Sequence, residues 1–179
     1  MKSDYRVRAA KFLKDIFPYI CDCLTDRFDV QHAVWRYNSN KHRNVLFSHG
    51  IARIALITSD YVIKWDYNKE YAYECGGCAD EHKAFMKAKE MGYDYLLAES
   101  TLVEYKGYYF TIMPRIKYVG GKLHKGHDIG YYLTEEEFNW VVEFNKDIHS
   151  YNWGIRNGKA CLIDYAMSDE VAGRWGTSA

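Results

Sequence analysis

Between Val45 and Trp65 three short apolar runs follow one another with only turn-forming residues between them: Val45-Leu46-Phe47, Ile54-Ala55-Leu56-Ile57 and Tyr61-Val62-Ile63-Lys64-Trp65. Runs of this length, rich in β-branched and aromatic residues, read as strands. Ser48-His49-Gly50-Ile51-Ala52 links the first two, and Thr58-Ser59-Asp60 turns the second into the third. Two further strand signals follow: Tyr95-Leu96-Leu97-Ala98 with Leu102-Val103, and Tyr108 to Met113, which Pro114 closes. Gly76-Gly77 interrupts any helix, and Asp80 reads as the N-cap of a helix from Glu81 to about Met91 that Gly92 ends.

The flanks of this β-rich stretch have a different texture. Val7, Phe12, Leu13, Ile16, Ile20 and Leu24 recur at helical spacing between Tyr5 and Phe28, with Pro18 marking a kink or break. The polar stretch Tyr37 to Asn44 reads as a loop. Residues 120–130 look like an irregular connection, and Thr134-Glu135-Glu136-Glu137 is a capping-box-like start to a helix through Phe144. A hairpin follows, pairing Trp153-Gly154-Ile155 with Ala160-Cys161-Leu162-Ile163 around Asn157-Gly158. The expected class is α+β, in three segments: a helical lead (1–36), a β-rich lobe (37–114) and a smaller C-terminal part (115–179).

The 24 basic and 24 acidic side chains cancel, so the chain has no bulk field to draw in nucleic acid or an anionic membrane. No apolar run approaches the length of a membrane span and the first residues lack a signal-peptide core, so a cytoplasmic location is expected. Five cysteines, an odd number, do not make a complete disulfide framework. Cys21, Cys23, Cys75 and Cys78 offer four thiolates for zinc, but Cys21 and Cys23 point in different directions if helical, and reduced incidental thiols are the simpler reading.

The chemistry concentrates near the C-terminus. Asp147-Ile148-His149-Ser150-Tyr151-Asn152 is followed by Asp164 at the end of an apolar strand. An acid, an amide five residues on and a second acid form a metal-and-base set for phosphoryl transfer. Asp147 would orient or deprotonate an acceptor hydroxyl, Asn152 would hold Mg²⁺, and Asp164 would bridge Mg²⁺ to nucleotide phosphates. The bland alternative is that Asp147 and Asn152 only stabilise a loop. His149 reads as a loop hydrogen-bonder, and His32, His42, His82, His124 and His127 read as surface residues. A phosphate site also needs cations and close backbone. Ser48–Ala52 offers a turn of backbone N–H groups. Lys64 lies mid-strand, either exposed or pointing inward as a phosphate ligand held by a carboxylate. Glu81 is the first choice for that carboxylate and Glu74 the alternative.

These residues in this order resemble the protein-kinase-like fold, over roughly Val45 to Ala166. The likeness is closest to the small Ser/Thr kinases encoded by tailed bacteriophages; Asp-Ile-His-Ser-Tyr-Asn also resembles loops of the aminoglycoside phosphotransferases. The resemblance implies a minimal bilobal fold, with an antiparallel sheet and one helix in the N-lobe and a truncated helical C-lobe. It implies ATP and Mg²⁺, a glycine loop at Ser48, His49, Gly50, Ile51 and Ala52, a Lys64–Glu81 anchoring pair, and a hinge at Met113-Pro114-Arg115. It assigns Asp147 as base and Asn152 and Asp164 as metal ligands. The implied partners are a nucleotide and a host protein, in the host cytoplasm. Two rival expectations are a pseudokinase-like protein that binds and inhibits a host factor, and a small-molecule kinase. Departures from the family pattern are a single glycine in the loop, Asn145-Lys146 before Asp147, and Tyr165-Ala166 after Asp164.

Overall fold

A computed structural model describes residues 4–50, 52–67, 77–118, 132–144 and 152–165. Two compact units make up the chain, one from residues 1–78 and 101–115, the other from 79–100 and 116–179.

The first unit opens with helix α1 (Tyr5–Ile20), whose N-cap Asp4 accepts a hydrogen bond from the Arg6 amide. Ala9, Leu13, Ile16 and Ile20 form its buried stripe. Pro18 does not break α1; it removes one N–H from the ladder, and only two helical residues follow it. Helix α2 (Arg27–Lys41) is capped by Asp26, which accepts from the amides of Phe28 (2.8 Å) and Asp29 (3.2 Å). It runs through most of the stretch expected as a loop, and ends only at His42 in the left-handed conformation. The polar residues misled because they cover the outer face of a helix whose inner face buries Val30, Ala33, Val34 and Tyr37. Asn38 also sets where the sheet begins, because its side-chain amide exchanges two hydrogen bonds with the Val45 backbone (2.9 and 3.0 Å).

Strands β1 (Leu46–His49), β2 (Arg53–Ile57), β3 (Tyr61–Asp66), β4 (Thr101–Tyr105) and β5 (Tyr108–Pro114) form one antiparallel sheet in the order β1-β2-β3-β5-β4. The register sets Leu56 opposite Ile63 and Ile63 opposite Ile112, and beside them Ile54 opposite Trp65 and Trp65 opposite Phe110. This apolar face packs on α1 and α2 to make the core of the unit. Trp65 completes it by donating its indole N–H to the Leu24 carbonyl at 2.9 Å.

The second unit contains all but the first residue of helix α3 (Cys78–Glu90), a 3₁₀ turn (Asp94–Leu96), helix α4 (Glu135–Phe144) and a three-stranded antiparallel sheet. That sheet has the order β6 (Lys117–Tyr118), β7 (Trp153–Arg156), β8 (Lys159–Leu162). Gly92, with φ +79°, ends α3 as the sequence predicts. The strand expected over Tyr95–Ala98 is instead the 3₁₀ turn followed by a single bridge from Leu97 to Leu162. Burial of Leu96, Leu97 and Ala98, more than sheet pairing, accounts for that apolar run. Among the described residues no helix is long and apolar enough to cross a membrane.

Candidate functional site

In the second unit the hairpin and α4 are built by local signals. The capping box forms as the sequence predicts: the Thr134 amide donates to Glu137 Oε2 (2.8 Å), and the Glu137 amide donates to Thr134 Oγ1 (3.2 Å). Glu137 has a second role that the sequence did not announce. It is buried, and its Oε1 accepts from Lys159 Nζ on β8 (2.5 Å) and from the Tyr95 hydroxyl (2.9 Å). Burial alone would push this carboxyl up, but the bonds from Lys159, the Thr134 amide and Tyr95 outweigh it and bring the pKa down to about 2. Burial and the bond to Glu137 push Tyr95 up to about 12. The same lysine sits over the Tyr95 ring, 5.0 Å from its centroid.

Asn157 and Gly158 turn β7 into β8 with φ of +54° and +80°, the pair of left-handed residues a tight hairpin needs. The register pairs Trp153 with Leu162, and one step further the Ile163 amide donates to the Asn152 carbonyl at 2.7 Å. Asn152 and Ile163 are therefore opposite each other, and Asp164 leaves the open end of the hairpin beside them. Asn152 is buried and Asp164 half-buried. Both neighbours of Asp164 are fixed: Ile163 by Asn152, and Tyr165 by a short hydrogen bond from its buried hydroxyl to the Ala98 carbonyl. Behind them Ala98 donates its amide to the Leu162 carbonyl (2.7 Å). In the sequence Tyr165 stands out only as a departure from a family pattern; in the fold it holds the backbone that carries Asp164. Asp147 and His149 lie outside the described residues.

In the first unit, Lys64 occupies the central strand β3, buried, opposite Ala55 and Thr111. It faces away from the α1–α2 core, since its neighbours Ile63 and Trp65 face toward it. On that same face Asp66 and Thr111 grip the start of α3. Both Asp66 carboxylate oxygens accept from the Cys78 amide (3.1 Å each), and Thr111 Oγ1 donates to the Cys78 carbonyl (3.2 Å). This corrects the helix start. Asp80 is not the N-cap; it lies in the first turn of α3, and the cap comes from a strand twelve residues earlier than Cys78. Gly77 makes the approach possible, because a Cβ there would stand 2.7 Å from Asp66 Oδ2. Glu81, in the first turn of α3, is fully buried. Glu74, the alternative carboxylate, lies outside the described residues.

Ser48 and His49 belong to β1, the Gly50 amide donates to the Arg53 carbonyl (2.8 Å), and Ala52 is buried; Ile51 lies outside the described residues. A Cβ on Gly50 would meet nothing within 4 Å, so the space at that one position is open. Met113 is buried opposite Val62 on β5, and Arg115 ties the strand's end to the β2–β3 turn through its amide to Asp60 and its guanidinium to Thr58.

Cys21, Cys23, Cys78 and Cys161 are free thiols, and Cys75 lies outside the described residues. Burial pushes the Cys161 thiol up to about 12. Among the described residues no three His, Cys, Asp or Glu side chains form a metal cluster. The donor types at the hairpin's open end, one amide and one carboxylate, are hard oxygens of the kind Mg²⁺ takes alongside water and phosphate. His82 departs from the surface role expected for it: it is half-buried, with Nδ1 2.9 Å from the Ser100 carbonyl. No protein-family model matches the chain, and no curated protein matches it.

Proposed function

We propose that the chain is an ATP- and Mg²⁺-dependent phosphotransferase of protein-kinase-like architecture, acting on serine or threonine hydroxyls of a host protein in the manner of the small phage kinases. One observation carries the reading. The β7–β8 hairpin sets Asn152 opposite Ile163 at its open end, with Asp164 the next residue along, and hydrogen bonds at Ile163 and Tyr165 hold the chain on either side of the acid. Metal-assisted phosphoryl transfer depends on positioning and charge neutralisation, so an acid on a held backbone, next to the residue that pairs with Asn152, suits it. The five-stranded antiparallel sheet, with its buried lysine on the third strand, and the helix that follows with a buried glutamate in its first turn agree with the order the resemblance requires.

In this reading Asn152 and Asp164 hold Mg²⁺, which neutralises charge on the nucleotide phosphates. Lys64 and Glu81 serve as the phosphate-anchoring pair, and the Ser48–Ala52 turn covers the phosphates. Asp147 takes the proton of the acceptor hydroxyl as its oxygen bonds to the γ-phosphorus, and the bond from that phosphorus to ADP breaks. The test is incubation of the intact chain with γ-labelled ATP and Mg²⁺ in a cell lysate. Label should enter protein with the native chain and not with Asp147→Ala or Asp164→Ala. Mg-ATP binding should survive in Asp147→Ala and weaken in Asp164→Ala. Equal incorporation by all three proteins, or none by the native chain, refutes the reading.

A further inference from the structure

Beside the Glu137–Lys159 network lies an open groove lined by Tyr93, Thr134, Glu135, Glu136, Asn139, Trp140 and Glu143, all within the second unit. Two of the lining residues are stacked rings, Tyr93 on Trp140 (4.6 Å between centroids, 18° between planes), and Trp140 stacks in turn on Phe144 (4.4 Å, 19°). The Tyr93 hydroxyl donates to Glu136 Oε1 at 2.8 Å, fixing one carboxylate against the rings. Three glutamates and no basic residue line the groove, in a chain whose formal net charge is zero.

Helix stability explains only part of this. Glu135 and Glu136 lie in the first turn of α4, where acids suit the helix dipole, but Glu143 lies in the last turn, where an acid opposes it. No ion pair among the described residues offsets Glu135 or Glu143. The protein supplies its own example of what such a surface accepts. Next to the groove, Lys159 lays its ammonium over the Tyr95 ring and against the Glu137 carboxylate. The groove repeats those elements, aromatic rings with adjacent carboxylates, and no cation stands among its lining residues.

We propose that this groove docks a basic protein segment, with arginine or lysine stems lying along the Tyr93–Trp140 rings and their charged heads meeting Glu135, Glu136 and Glu143. Such side chains match it because they combine an apolar stem with a cationic head. The proposal stands apart from phosphotransfer and is read by binding alone. The probe is a fluorescein-labelled peptide of alternating arginine and alanine, titrated with the full chain by fluorescence anisotropy. Its control is the same peptide with neutral citrulline for arginine. The arginine peptide should bind saturably, weaken as salt is raised, and lose about tenfold in affinity to Glu135→Gln/Glu143→Gln, the strong end of two exposed charge pairs. Both glutamates are exposed, so the double variant should keep its far-ultraviolet circular dichroism. No saturable binding of the arginine peptide, equal binding of the citrulline peptide, or unchanged affinity in the double variant overturns the proposal.

Discussion

Tyr165 stands next to the acid on which the proposed chemistry depends, and its own contribution is mechanical. Its hydroxyl is buried and spent on the Ala98 carbonyl, itself buried. Tyr165→Phe should therefore cost roughly 1–2 kcal/mol by leaving that carbonyl short of a donor. If Asp164 holds Mg²⁺, the same change should weaken Mg-ATP binding several-fold while leaving Asp147 chemistry intact. Calorimetric unfolding and nucleotide titration of the variant measure the two effects, and wild-type behaviour in both would remove Tyr165 from the site. Glu137 makes a pH prediction with a definite sign. Its pKa falls from an ordinary 4.5 to about 2 on folding, so its contribution is complete above pH 4.5 and is lost as the pH drops toward 2. The contribution is on the order of 2 kcal/mol, since Glu137 is buried while the Lys159 side chain is half exposed and screened by solvent. Urea midpoints of the wild type should fall across that window, and those of Glu137→Gln should fall less. Parallel curves for the two proteins would mean that other carboxylates carry the acid limb.

At the scale of elements, what was legible in the sequence is what is decided locally. Thr134 and Glu137 cap α4 across three residues, and Asn157-Gly158 turns the hairpin in two, so both could be read without knowing the fold. Thr134→Ala should cost about 1 kcal/mol, seen as a lower midpoint in urea; an unchanged midpoint would show that Glu137 alone suffices to hold the helix start. The start of α3 was illegible for the opposite reason. Its cap comes from Asp66 on β3, and sequence offered the nearer Asp80 instead. Likewise α2 runs into the stretch that reads as a loop because Tyr37 finds a partner in Asp15 of α1, 2.8 Å away, and Asn38 finds Val45. Gly77, which reads in the sequence only as a helix breaker, makes room for the Asp66 cap. Gly77→Ala should force that carboxylate back and cost about 0.5–2 kcal/mol, as loss of a cap does. Because Asp66→Ala removes the same bonds, the double variant should be no worse than the poorer single one. Additive losses in the cycle would place the two residues in separate interactions.

The molecule as a whole divides differently from the three segments its texture suggests. The helical lead is not a separate module: Leu13, Ile16 and Ile20 of α1 share one core with Ile54, Ile63, Trp65 and Phe110 of the sheet. Sequence periodicity showed that α1 has an apolar face, but not which surface covers it, since a helix stripe fits a helix or a sheet equally. The hairpin that carries Asn152 at one end and leads to Asp164 at the other was legible from its turn, whereas the burial of Lys64 was not, because it follows from strands far apart in the chain. A substitution in α1 tests this division. Ile16 is fully buried in the first unit's core, so Ile16→Ala should cost about 2–5 kcal/mol there. Amide hydrogen exchange should show protection falling along β2, β3 and β5, while β7 and β8, whose ladder and Leu97–Leu162 bridge belong to the second unit, keep theirs. Equal loss of protection in both sets of strands would mean that the two cores unfold as one.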